Sequence, residues 1–320
     1  MTRARGALAT LARVSAGVLL IFSTLLAGTA AAQRDDAPER LTVRADGHPM
    51  AVWVRRAPHA KGAILLLHGR TWSARPDFDL TAPGGERSVM RLLVAHGYTV
   101  YALDARGYGA TPRDSTGWLT PTRAAADVAE VLRVIAAQTP GGRLPTLFGW
   151  SYGSMVAHLT AQSWPERMSA LVLYGYPFEH AAKVPSDPSP ASPPRERNTA
   201  KNAASDFISP AVTPRPVIDA YVVAALQADS VRADWRNIEE WNALDPAKVR
   251  VPTLVLQGER DPLAPTAALA RLFTALGTPD RAWVVLPGGD HAAMLENTEP
   301  AFIAAVIDFI ERPSVAPAAP

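Results

Sequence analysis

The sequence predicts an α/β protein: a mostly parallel, eight-stranded sheet with helices on both faces and a mainly helical segment inserted late in the chain. Three observations point there. Short continuous apolar runs such as "AILLLHG" (63–69) and "SALVLYGYP" (169–177) read as strands buried on both faces. Stretches with helical spacing stand between them, and strands that alternate with helices make a parallel sheet. The alternation stops between Pro177 and Pro246 and then resumes.

In chain order, residues 1–32 are set apart. Arg3, Arg5 and Arg13 form a basic start, Val14 to Gly28 is uncharged and mostly apolar, and Ala30-Ala31-Ala32 follows. This is the layout of a secretory signal cleaved after Ala32, and it places the mature protein in the periplasm or outside the cell. The alternative is an uncleaved anchor, because Val14 to Ala32 nearly suffices to span a bilayer. The leader holds three arginines and no acid, so the +2 of the whole chain becomes −1 without it. That balance gives no reason to expect nucleic acid or an anionic surface as partner, nor stable membrane association once the signal is removed. There is no cysteine, which excludes disulfides and a lipid-modified cysteine.

"LTVRADG" (41–47) and "MAVWVRR" (50–56) alternate around Asp46-Gly47-His48, an antiparallel start. Strand 63–69, helix 87–97, strand 98–107, helix 123–138, strand 145–151, helix 152–164 and strand 169–177 follow. After the gap come strand 251–261, helix 266–277, strand 281–291 and helix 301–312. Residues 33–176 and 247–312 are therefore expected to form the core and 177–246 an inserted lobe. The lobe opens on the Pro/Ser-rich "KVPSDPSPASPPRERN" and continues with "PRPVIDAYVVAALQADS" and "ADWRNIEEWNAL", which read as helical. The tail, 313–320, is expected to be disordered.

"LFGWSYGSM" (147–155) sets Ser151 between Gly149 and Gly153, where a strand hands over to a helix. One reading is a helix N-cap. The other is a sharp elbow that presents the hydroxyl above the sheet, with glycines sparing the neighbouring backbone a clash. A nucleophilic serine needs a base, an orienting acid and donors for an oxyanion. In a parallel sheet these come from loops at the carboxyl ends of strands. The strand ending at Leu256 is followed by Asp261, and the strand ending at Leu286 by His291. Glu259, or an acid beyond the strand ending near Tyr174, are alternatives for the carboxylate. "HGRTW" after Leu67 offers the amide of Arg70, and the amide of Tyr152 follows the serine.

The motifs "HGR" (68–70), "DARGYG" (104–109), "GWSYG" (149–153), "GERDPLAP" (258–265) and "GGDH" (288–291) resemble the α/β-hydrolase superfamily, in its serine esterase-like branch with an inserted cap. The resemblance covers 41–312 apart from the inserted lobe. It implies Ser151 as nucleophile, His291 as general base and acid, Asp261 as the orienting carboxylate, and Arg70 and Tyr152 as oxyanion amides. It implies no cofactor. Serine at the elbow departs from the aspartate of the haloalkane dehalogenase and epoxide hydrolase branches, and the long 70–86 stretch departs from the usual spacing. His68 is read as a support for the oxyanion turn, and Asp104 and Arg106 as ion-paired loop braces. Trp72, Trp150 and Tyr176 are candidates for an aromatic acyl or alcohol pocket; core packing explains each equally well. The expected function is an exported serine hydrolase acting on a small-molecule carboxylic ester, a lactone or polyester-like substrate included. A peptidase or amidase, or a catalytically silent cleft-binding protein, are the alternatives.

Overall fold

The computed structural model describes residues 37–83, 85–186 and 188–313. The leader, and the tail beyond its first residue, lie outside them. Contacts divide the chain at Glu39/Arg40, and the unit from Arg40 onward carries the fold.

β1 (Glu39–Ala45) and β2 (His48–Arg55) are joined by Asp46 at φ 49° and Gly47 at φ 72°. Two consecutive positive φ values suit the twist of an antiparallel hairpin. β3 (Gly62–Leu67) leads to a short helix, α1 (Ala74–Phe78), and a small hairpin of β4 (Leu80–Ala82) and β5 (Gly85–Arg87). These elements occupy the described residues of the long 70–86 stretch, with Trp72 and Phe78 buried. Then come α2 (Val89–Ala95), β6 (Tyr98–Leu103), β7 (Trp118–Leu119), α3 (Pro121–Gln138), β8 (Thr146–Trp150), α4 (Tyr152–Ser163) and β9 (Ala170–Tyr174). Proline at the first position and the Thr120 side chain accepting the Arg123 N–H start α3, as helix-start chemistry requires.

The sheet order is β1-β2-β6-β3-β8-β9-β11-β12, with β11 (Thr253–Gly258) and β12 (Arg281–Leu286) the last two strands. β2 is antiparallel to β6, and from β6 to β12 the strands are parallel. α7 (Thr266–Ala275) and α8 (Glu299–Glu311) complete the cover. Side chains alternate across the pleat. Leu65, Leu67, Leu147 and Leu173 face Val128, Leu132, Met155 and Leu159 of α3 and α4. Ile64, Leu66, Phe148 and Val172 face Met90 of α2 and Phe302, Ile303 and Val306 of α8. The spacing of the α8 residues is the one-faced stripe expected of a helix lying on a sheet.

Between β9 and β11 lie α5 (Ala200–Ala204), α6 (Arg215–Ala228), β10 (Asp234–Trp235) and short 3₁₀ turns. The "ADWRNIEEWNAL" segment is not the helix its composition suggests. Asp234 and Trp235 pair in parallel with Trp118 and Leu119, Asn237 takes a left-handed φ of 54°, and only a 3₁₀ turn, Ile238–Ala243, follows. Pairing with a distant strand overrides local propensity.

β3 lies between β6 on one side and β8 on the other, so the connections diverge from it. Such a switch point opens a crevice at the carboxyl ends of the strands. The register keeps those ends level, with Leu67 opposite Gly149 and Trp150 opposite Tyr174.

Candidate active site

Ser151 occupies the N-cap position of α4 at φ 55° and ψ −123°, and its side chain makes no capping bond. A non-glycine residue at positive φ is strained, and here the strain turns the chain from strand to helix within one residue. Both flanking glycines are demanded by close backbone approach. A Cβ on Gly149 would stand 2.4 Å from the Gly153 carbonyl oxygen, and one on Gly153 would stand 2.3 Å from the His68 carbonyl oxygen. The Ser151 N–H donates to the Tyr174 carbonyl at 2.9 Å, tying the elbow to β9.

His291 stands beyond β12 in a loop braced from several sides. Its Nδ1 lies 2.8 Å from Asp261 Oδ2, and the other Asp261 oxygen accepts the Leu263 N–H at 2.9 Å. The Trp150 indole donates to the His291 carbonyl at 2.7 Å. The Tyr174 hydroxyl donates to the Asp290 carbonyl at 2.7 Å and accepts the Ala293 N–H at 2.8 Å. Gly175, at φ 57°, leaves room for the imidazole, since a Cβ there would stand 3.0 Å from its Cε1. Glu259, the other carboxylate in that loop, is exposed and accepts the Gly288 N–H at 2.7 Å. In the same loop, burial and the neighbouring Asp290 raise the Glu296 carboxyl above the usual carboxylate range.

The turn after β3 lies against the elbow: a Cβ on Gly69 would stand 3.6 Å from that of Ser151. His68 holds this turn. Its Nδ1 is 2.8 Å from the Gly69 carbonyl oxygen, and its Nε2 accepts the Ala105 N–H at 3.1 Å, which assigns the proton to Nδ1. Burial lowers His68 to about 4. An unfolded histidine takes up a proton near 6.5 whereas His68 refuses it until about 4, so His68 contributes stability that is lost as pH falls through that window. The expected loss is up to about 3 kcal/mol. Asp104, raised by burial to about 6, contributes with the opposite sign, so the comparison is between proteins. Urea unfolding at pH 7 and pH 4.5 should show a smaller difference for His68→Gln than for the parent. An equal difference contradicts this reading.

The profile of the family described as serine aminopeptidase, S33, matches residues 58–298. The chain belongs to that family of α/β hydrolases. No curated protein matches it in sequence. Among solved structures, a hydrolase from Pseudomonas aeruginosa PA01 is 20% identical, with 86% of this chain and 98% of that one covered and a TM-score of 0.62. A serine hydrolase involved in carbazole degradation is 20% identical, covering 86% and 99%, with a TM-score of 0.61. A thermophilic esterase from Thermogutta terrifontis is 19% identical, covering 85% and 98%, with a TM-score of 0.61. At these identities the likeness is one of fold.

In this α/β hydrolase a cleft of about 450 Å³ opens over the elbow. Ser151, His291, Arg70, Tyr152, Trp72 and Trp150 line it, and Asp261 sits buried behind the histidine. Tyr176 lies outside that lining; it is buried, with its hydroxyl 2.8 Å from His158 Nδ1 and 3.3 Å from His180 Nε2. Trp241 lines the cleft and donates its indole N–H to the Tyr152 hydroxyl at 2.7 Å. Trp235 packs edge-on against the same ring, donates to the Tyr108 hydroxyl at 2.8 Å and lies outside that cleft's lining. Arg106 is ion-paired with Asp127 at 2.6 Å. Asp104, by contrast, accepts from the Trp53 indole and the backbone N–H groups of Ala74 and Ala110. Asp77 and Asp206 also line the cleft and escaped the sequence reading, because only tertiary packing brings them together. Among the described residues no group of three or more His, Cys, Asp or Glu could hold a metal, and no helix is long and apolar enough to cross a membrane.

Proposed function

We propose that the protein is an exported serine hydrolase that cleaves carboxylic esters through a covalent acyl-enzyme, without a cofactor. One observation carries this reading. A strained serine with no capping bond opens into the same cleft as a histidine whose Nδ1 is held by a buried carboxylate. Ser151 Oγ attacks the ester carbonyl carbon while His291 Nε2 takes its proton. Asp261 fixes the Nδ1–H tautomer and balances the imidazolium. The oxyanion faces the backbone amides of Arg70 and of Tyr152, the residue that opens α4, where helix N–H groups point outward. The imidazolium then protonates the leaving alcohol, and water, activated by the same histidine, releases the acid. Export is supported by the basic start and Ala-x-Ala end of residues 1–32. The inserted 177–246 segment serves as a cap, and with Trp72, Trp150 and Trp241 it lends the cleft an aromatic wall.

The experiment is a comparison of matched esters and amides of one acid. Ester turnover should exceed amide turnover by orders of magnitude, since an amine is the poorer leaving group. Comparable or faster amide cleavage overturns the ester assignment and leaves a peptidase or amidase. The cap yields a second expectation. Trp241→Ala should lower kcat/KM for long acyl esters more than for an acetate, because only a long chain buries surface against it, at about 25 cal/mol per Å². Trp235→Ala should instead lower the melting temperature and leave the ranking alone. Equal losses on all esters for Trp241→Ala retire its pocket role.

A further inference from the structure

The histidine loop is tied to the sheet by two side chains that have no chemical part in the steps above. Trp150 ends β8 and Tyr174 ends β9, and the two stand opposite each other in the parallel register. Register partners point to the same face of a sheet. Both side chains are buried there, in the apolar cluster that also holds Phe148, Phe302, Ala292 and Ala293. Each carries one polar atom into that layer and turns it to the main chain of residues 290–293. The Tyr174 hydroxyl donates to the Asp290 carbonyl at 2.7 Å and accepts the Ala293 N–H at 2.8 Å. The Trp150 indole donates to the His291 carbonyl at 2.7 Å.

The same two residues hold the serine. Trp150 precedes Ser151 in the chain, and the Tyr174 carbonyl accepts the Ser151 N–H at 2.9 Å. Gly175, next in the chain at φ 57°, leaves room for the imidazole. Tyr174 is therefore one hydrogen bond from the backbone of the serine and one from that of Asp290, beside the histidine. Trp150 is one peptide bond from the serine and one hydrogen bond from His291 itself. Apolar packing does not require these polar atoms, since phenylalanine at 174 would fill the layer as well as tyrosine does. What they add is direction. Apolar contact tolerates sliding, whereas a hydrogen bond weakens steeply as its angle closes.

We propose that Tyr174 and Trp150 are positioning residues for acyl transfer: together they hold the His291 loop in register with the Ser151 elbow, so that the histidine is already in place when the serine attacks. This rests on the triad reading of Ser151 and His291. The loop also has bonds of its own. The Asp290 N–H donates to Glu296 Oε2 at 3.0 Å, and the Asp290 carboxylate accepts the N–H groups of Ala292 and Ser209. Losing the clamp should therefore leave the loop folded yet free to shift against the elbow.

Tyr174→Phe keeps the ring and removes the hydroxyl. Its kcat for a small ester should fall roughly ten- to a hundredfold, the effect of misplacing a reacting group by about 1 Å. KM should change little, because Tyr174 is buried and lies outside the lining of the cleft. Trp150→Phe, which loses one bond to the loop rather than two, should lower kcat by less.

Loss of a buried hydroxyl can lower stability wherever it sits, so the decisive experiment is a double-mutant cycle with His291→Ala. Parent, Tyr174→Phe, His291→Ala and the double variant are compared in kcat and KM for p-nitrophenyl acetate, well below each melting temperature. Groups that act as a unit are not additive. The effect of Tyr174→Phe should therefore vanish once the histidine is gone. Equal losses in the two backgrounds overturn the proposal, as does a folded Tyr174→Phe with parental kcat, or a loss confined to KM. If Tyr174→Phe does not fold, Trp150→Phe is carried through the same cycle, and an equal loss in both backgrounds again overturns the proposal. A His291→Ala protein as active as the parent is a separate failure: it overturns the triad reading, and with it any histidine to position.

Discussion

Replacing Ser151 with alanine should lower ester turnover by about 10⁴–10⁶ while leaving the fold intact. The size follows from what is removed. In the proposed mechanism the serine oxygen forms the acyl bond, and without it only a water molecule, unpositioned by the elbow, is available for attack. The fold should survive because the Ser151 side chain makes no capping bond and its backbone N–H still reaches the Tyr174 carbonyl. The strained φ of 55° is no harder for alanine than for serine. Circular dichroism and melting temperature beside kcat check this. A variant that melts like the parent and keeps a tenth of its activity shows that another group attacks.

Asp261→Asn should cost up to about 10⁴ in turnover, close to the nucleophile itself. The carboxylate is buried, with Oδ2 at 2.8 Å from His291 Nδ1 and Oδ1 holding the Leu263 N–H. An asparagine can turn its N–H₂ toward Nδ1. It then stabilises the tautomer with the proton on Nε2, which cannot accept a proton from serine. The charge that balances the imidazolium is lost as well. Glu259→Gln should be nearly silent, since that side chain is exposed and holds only the turn at Gly288. A silent Asp261→Asn beside a crippling Glu259→Gln reverses the assignment.

Much of this was legible in the sequence because the relevant constraints are local. A strand buried on both faces leaves a continuous apolar run, and β3, β6, β8, β9 and β11 all show one. An elbow that brings β8 and α4 within van der Waals contact of the β3 turn excludes any Cβ, which leaves Gly149 and Gly153 in the text of the chain. The loop positions of Asp261 and His291 follow from the ends of β11 and β12. Other features depend on partners far away in the chain. Asp77, Asp206 and Tyr221 belong to three separate elements, and no spacing announces that one hydroxyl joins two acids. The 233–244 segment reads as helical from its residues, yet Trp235 pairs with Leu119 and becomes a strand. Tyr176 carries the aromatic character of a pocket residue, while the packing of His158 and His180 around its hydroxyl keeps it in the interior.

In the proposed mechanism Ser151 is activated as a nucleophile by its surroundings. A fluorophosphonate reacts with such a serine and ignores ordinary ones, since its phosphorus accepts an oxygen made nucleophilic by a neighbouring base. The most direct measurement is therefore to treat the native protein with the probe, digest it, and locate the adduct by tandem mass spectrometry. The expected result is a single modified site, Ser151. An adduct on a different serine, or an unmodified Ser151 in a preparation that hydrolyses esters, contradicts it.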